Sequence, residues 1–226
     1  DIGQNSGFTK NLGSGTVAVG DHNNDGFLDL FIPSHKEGQN AFYNNLGNGN
    51  FESVKSSEEL SAALSSIDVY DSQYFDFDND GFLDIIFVGE SKGDDGRGVY
   101  LFHNDGRGNF DDRSDLLPDQ PKSGKQITLF DYNEDGDLDL LIAGLNGAVF
   151  LLRNDGGNAN HYVNMKLVGL RTGSAKNNYF GIGAKVEMRA GDLYQSAVVT
   201  DPNIYFGLGT REKADVMRIT WTNGVP

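Results

Sequence analysis

The nine residues DFDNDGFLD (76–84) carry four aspartates and run straight into an apolar segment. Asp76, Asp78, Asp80 and Asp84 stand at positions 1, 3, 5 and 9 of this frame, with glycine at position 6. Carboxylates crowded this closely repel one another unless a cation lies among them, and a donor set made only of oxygen suits a hard ion. The frame recurs at DHNNDGFLD (21–29) and DYNEDGDLD (131–139), each start 55 residues after the last. The first loop offers Asp21, Asn23, Asp25 and Asp29, and the third offers Asp131, Asn133, Asp135 and Asp139. Position 7 is Phe27, Phe82 or Asp137, a variability expected where only the backbone carbonyl is a ligand. Gly26, Gly81 and Gly136 permit the sharp reversal that turns alternate side chains inward.

This chemistry fits Ca²⁺, which accepts roughly six to eight oxygens in flexible geometry, better than Mg²⁺ with its strict octahedron. The expectation is three Ca²⁺ ions, one per loop, bringing the formal charge from −15 to −9. With four ligand carboxylates against three in each neighbour, the loop at Asp76 is expected to bind tightest. Exposed turns of this kind fall near the extracellular range of about 10⁻⁴ to 10⁻³ M. An EF-hand is excluded, because its position-12 glutamate is replaced by Ile32, Phe87 and Ile142. Metal-free Asx and Asp-Gly turns are the alternative, but turns alone do not require carboxylates at positions 1, 5 and 9 three times over.

The elements that must position these loops are short strands. GTVAVGD, VYDS with QYFD, and KQITLFD lead in; LDLFIP (28–33), LDIIFVG (83–89) and LDLLIAG (138–144) lead out. The outgoing runs are nearly continuous and bounded by glycine or proline, as in strands buried on both faces. A third strand follows and ends in Asn/Asp-Gly turn residues: AFYNNLGNGNF (41–51), VYLFHNDGRGNF (99–110) and, more loosely, VFLLRNDGGNANHY (149–162). Phe51 and Phe110 then open a fourth strand. Four strands in about 50 residues is the economy of a propeller blade. One helix is expected in SSEELSAALSS (56–66), where Ser56 and Glu59 have capping-box spacing. After Asn160 the frame is lost, and HYVNMKLVGL, FGIGAKVEMRAG, LYQSAVV, IYFGLG and DVMRITWTNG read as five more strands. A boundary within GGNAN gives residues 1–157 as β-propeller repeats and 158–226 as a small β-sandwich-like domain, all-β throughout.

A net charge of −15 disfavours nucleic-acid and anionic-membrane partners, and the apolar runs are too short to cross a bilayer as helices. Any signal peptide is expected to have been removed or never to have belonged to this chain. Without cysteine there are no disulfides or thiolate metal sites. His22, His35, His103 and His161 lack zinc spacing and read as ordinary surface or turn residues. GSGTVA (13–18) precedes a strand, so it is a turn and not a dinucleotide fingerprint. GDDGRG (93–98) reads as a hairpin loop, and the pair Asp111/Asp112 is uninformative among so many acidic turns. Phe27 and Phe82 suit blade packing better than ligand contact.

The three D-x-[DN]-x-D-G-x-x-D loops, each followed by L-D-[LI], resemble the FG-GAP/VCBS repeats of integrin-α-type β-propellers, as do the N-[DN]-x-G-x-G-N-F turns. NHYVNMKLVG, GIGAKVEMRAG, YFGLG and ITWTNG, in that order, resemble an ASPIC/UnbV domain. The resemblance implies a secreted or cell-surface, non-enzymatic protein with calcium in its blade loops. Such propellers usually have seven blades, whereas three repeats are present and DIGQNSGF looks like the tail of a preceding blade, so the chain is expected to be either a piece of a longer protein or an open arc whose edges something else covers. Two functions are therefore expected in competition. One is a calcium-stabilised adhesion or recognition module binding a protein or glycan. The other is a self-assembling extracellular subunit of a filament or tube, its open blades completed by copies of itself.

Overall fold

The computed structural model describes residues 6–8, 16–33, 40–93, 96–169 and 178–223. His35, residues 13–15 of the GSGTVA turn, residues 94 and 95 of GDDGRG, residues 1–5 of DIGQNSGF and the final GVP lie outside the described residues.

The repeat builds three antiparallel meanders. The first blade orders β1 (Ala18–Gly20), β2 (Asp29–Ile32), β3 (Ala41–Asn45) and β4 (Phe51–Val54) side by side. The second repeats this with β5 (Ile67–Phe75), β6 (Asp84–Ser91), β7 (Val99–Asn104) and β8 (Phe110–Asp112). The third has β9 (Gln126–Phe130), β10 (Asp139–Ala143) and β11 (Val149–Leu152), and stops at three strands. The expected helix is α1 (Glu58–Ser65), but its cap is Ser57, whose Oγ accepts from Leu60 N–H at 3.2 Å. Ser56 instead meets Ser61, hydroxyl to hydroxyl at 2.6 Å.

The continuous apolar run of β6 is explained by burial on both faces. Ile85 and Phe87 enter a core shared with Phe31 and Phe42 of blade 1. Ile86 and Val88, on the alternate face, enter a core shared with Ile127, Leu140 and Ile142 of blade 3. Asp71, buried at an irregularity in β5, accepts Ile127 N–H at 2.8 Å and ties the second seam further.

The five strands expected after Asn160 are β12 (His161–Lys166), β13 (Lys185–Ala190), β14 (Leu193–Val198), β15 (Asn203–Gly209) and β16 (Val216–Thr220). β12 follows β11 where a fourth blade strand would stand, yet it pairs with β15. β13 lies between β14 and β16, and Val186, Met188, Phe206 and Leu208 share the core of this unit. The strand missing from blade 3 leaves a groove of about 300 Å³ lined by Phe77, Leu101, Leu117 and Leu152. At the equivalent place between blades 1 and 2, Phe110 of β8 packs on the rings of His22 and Phe42. No helix among the described residues is long and apolar enough to cross a membrane.

The two kinds of apolar position make different demands. Phe87 is fully buried and stacks on Tyr100 and Phe102, so Phe87→Ala is expected to cost about 3–5 kcal/mol. Val149, 66 % exposed, is expected to cost under about 0.5 kcal/mol as Val149→Ala. Urea titration of both variants checks this; equal losses would contradict the assignment of the seams.

Candidate metal centre

Each acidic nonapeptide folds as a tight loop between the first two strands of its blade. The position-1 aspartate accepts two backbone N–H groups: Asp76 takes Asp80 at 3.0 Å and Gly81 at 2.8 Å. Asp21 takes those of Asp25 and Gly26, and Asp131 those of Asp135 and Gly136. The position-5 carboxylate accepts the position-7 N–H in all three loops, at 2.8 to 3.0 Å. In loops 1 and 3 the position-3 amides of Asn23 and Asn133 donate to Asp25 and Asp135. The position-6 glycines have φ of +94° to +95°, a region that penalises any side chain.

Position 9 is spent differently. Asp84 accepts Phe77 N–H at 2.9 Å on one oxygen and Asn104 N–H at 2.8 Å on the other. Asp139 does the same with Tyr132 and Asn154. Asp29 accepts Asn45 N–H, and its second oxygen lies 2.8 Å from His22 Nδ1. All three are completely buried.

Loop 2 concentrates the charge. Single oxygens of Asp76, Asp78 and Asp84 lie within 4.8 Å of one another, and Asp78 and Asp80 form a second group with His103. Burial, then the neighbouring Asp80 and Asp78, pushes Asp76 well above the usual carboxylate range. Burial and Asp76 do the same to Asp84, and burial with Asp80 raises Asp78. In loop 1, burial pushes Asp21 up to about 6. In loop 3 the side chain of Asp137 is itself engaged: one oxygen accepts Asn79 Nδ2 at 2.7 Å, and the other is buried with no hydrogen-bond donor among the described residues. Burial holds Asp137 at about 6. Closely spaced, partly desolvated hard oxygens whose charge is uncompensated form a donor set that a divalent cation fits.

Phe27 and Phe82 lie over Gly47 and Gly106, the turn glycines of their own blades, where a Cβ would fall 2.3 to 2.5 Å from the ring. Phe27 remains 43 % exposed, with Lys185 Nζ 5.9 Å from its ring centroid. The reading of the histidines needs correction. His22 is buried, stacked on Tyr74, and His103 Nε2 sits 3.2 Å from Asp80 and 3.5 Å from Asp78. His22 thereby meets the position-9 carboxylate of its own loop, Asp29, and His103 meets positions 3 and 5 of loop 2; His161 is exposed as expected.

Sequence reasoning passed over position 4. Asn24, Asn79 and Glu134 all adopt left-handed φ of 56° to 61°. Asn24 donates across the seam to Gly81 O at 3.0 Å, just as Asn79 donates to Asp137. The asparagines beginning the glycine turns were missed too: Asn104 Nδ2 donates to His22 O at 2.7 Å and Asn154 Nδ2 to Phe77 O at 2.6 Å, each in the preceding blade. Recurrent Asn at both places was the available signal.

The C-terminal unit rests on all three loops. Ser196 Oγ donates to Asp21 at 2.7 Å, and Tyr205 reaches Asp131. Gly207 lies so close to Asp76 that a Cβ would fall 2.1 Å from its carboxylate. Tyr194, Leu193 and Tyr162 cover Gly26, Gly81 and Gly136 respectively.

The raised carboxylates predict how metal-free protein responds to pH. From the ordinary 3.8 up to about 6, folded Asp21 binds a proton that the unfolded chain has released, so stability falls as pH rises through this window. His103, raised chiefly by its hydrogen bond to Asp80, adds a contribution lost as pH rises through its elevated folded value. In chelator, the melting temperature is expected to be higher at about pH 5 than at about pH 7.5. A rise between those two values would refute the crowding.

The comparison with known families meets this geometry directly. The FG-GAP-like repeat matches residues 21–87 and 76–142, each match opening at a position-1 aspartate and spanning two consecutive loops. Together these matches cover more than half of the chain, with the acidic loops and the strands that hold them at their centre, and the chain belongs to the FG-GAP-like repeat family.

Proposed function

We propose that the chain is a calcium-stabilised blade array acting as a non-enzymatic, extracellular adhesion or recognition module. The observation that carries this reading is the loop-2 cluster, where Asp76, Asp78 and Asp84 crowd their oxygens within 4.8 Å. Asp76, Asp78, Asp80 and the Phe82 carbonyl would hold the ion in loop 2, with Asp84 beside it. Asp21, Asn23, Asp25 and Asp29 serve loop 1, and Asp131, Asn133, Asp135 and Asp139 serve loop 3. Calcium would neutralise charge that the loops otherwise carry against burial and the repulsion of neighbouring carboxylates. A rigid scaffold with exposed turns at its rim suits binding of a protein or glycan. The order of NHYVNMKLVG, GIGAKVEMRAG, YFGLG and ITWTNG supports an ASPIC/UnbV-like C-terminal unit and, with it, a secreted or surface location.

Asp78 belongs to both acidic groups yet makes only one long hydrogen bond to the loop, 3.3 Å from Asp80 N–H. Asp78→Ala is therefore expected to remove calcium binding at loop 2 while leaving the other loops intact, read as one lost site in isothermal titration calorimetry. A site occupied at a hundred times its Kd contributes about 2.7 kcal/mol, so the calcium-induced rise in melting temperature shrinks accordingly. Identical melting of wild type in calcium and in chelator would sink the metal reading.

The second reading, a subunit that assembles with copies of itself, is favoured by the uncovered face of blade 3.

A further inference from the structure

The repeat allows each face of blade 3 to be compared with a face whose partner is known. Blade 2 meets blade 3 through Phe75, Phe77, Ile86, Val88, Val99 and Leu101, all buried. Advancing 55 residues, Phe75 and Phe77 become Phe130 and Tyr132, and Ile86 and Val88 become Leu141 and Ala143. On the third strand, register gives the equivalents: Leu101 pairs with Ile86 and Leu151 with Leu141, while Val99 pairs with Val88 and Val149 with Ala143. Every position that is apolar in the covered seam is apolar or aromatic again on the outer side of blade 3. There Phe130, Tyr132, Val149 and Leu151 are 37 %, 44 %, 66 % and 48 % exposed.

The other end of the array carries the matching half. Blade 3 enters its seam with Ile127, Leu129 and Leu140, whose equivalents on blade 1 are Val17, Val19 and Leu30. Val17 and Val19 are 42 % and 52 % exposed. One molecule therefore presents both halves of a blade seam; Val19 and Phe130 open on one cavity of about 700 Å³ that Val199 and Ile204 of the C-terminal unit also line, and both stay exposed, so the two faces are not packed on each other.

We propose that the outer face of blade 3 binds the outer face of blade 1 in a second copy of this chain, head to tail, reproducing the seam between blades 2 and 3. This rests on the reading of the chain as an FG-GAP blade array and not on calcium. Because the two faces differ, the contact is heterologous, and repeated contacts extend into a ring or a filament.

The test is sedimentation velocity over a range of concentrations, with calcium binding measured separately by calorimetry on the same samples. Wild type is expected to shift to larger species as concentration rises. Val149→Asp on one end and Val19→Asp on the other are each expected to weaken self-association about tenfold or more. Both residues are more than half exposed, and unchanged circular dichroism verifies that the variants fold. Mixing the two variants restores one intact junction, so a heterodimer is expected from two poorly associating parents. A monomeric wild type at about 100 µM, well above a micromolar Kd, overturns the proposal. So does a Val19→Asp protein that still associates like wild type, which would indicate a symmetric contact or a different occupant. Loss of calcium binding with assembly retained would instead overturn the metal reading alone.

Discussion

A buried carboxylate closes every blade. Asp29, Asp84 and Asp139 have no exposed surface, and the oxygens of the latter two each accept a backbone N–H, one from the acidic loop and one from the asparagine at or just past the end of the third strand. Removing a carboxylate from water is costly unless such donors are supplied, so the aspartate dictates where both chain segments must lie. The loop is thereby pinned against the second strand, and the turn after the third strand is pinned beneath it. The asparagine of that turn then reaches the preceding blade through Asn104 and Asn154. Blade geometry and seam geometry descend from the same polar tie, while the apolar faces supply the cohesion.

The loops above this tie are a balance of opposed terms. Backbone N–H groups favour the ionised position-1 aspartates, whereas burial and like charge oppose them, and in Asp76 the opposing terms prevail. Protons or a dication can relieve that conflict, and the two compete because metal ligands must be deprotonated. The C-terminal unit enters the same balance, since Ser196 donates to Asp21 and Gly207 crowds Asp76.

Much of this was legible from residue order. The 55-residue spacing gave three loops, and glycine at position 6 gave the reversal that Gly26, Gly81 and Gly136 make. The alternate-face burial of β6 followed from its unbroken apolar run. What stayed hidden depends on contacts between segments distant in the chain. His22 looked like a turn residue because nothing local announces that Tyr74 will stack on it. His103 lies 23 residues from the carboxylate it meets. β12 was placed after the repeat frame, but nothing local names β15 as its partner. Ser57 replaced Ser56 as the helix cap because either hydroxyl stands near enough in sequence, and the backbone entry angle selects one.

An array with unlike, complementary ends has a particular freedom in its history. Duplicating one 55-residue unit inserts a new seam of the kind already present and leaves both terminal faces unchanged. Blade number can therefore drift by whole repeats without a new kind of blade seam having to arise. The same repeat position nonetheless experiences different selection in each copy. Ile86 is buried against blade 3, while Leu141, its counterpart, is only half-buried on the outer face. Divergence among the copies should accordingly be read by position in the array, with the buried middle recording the fold and the exposed faces free of that constraint.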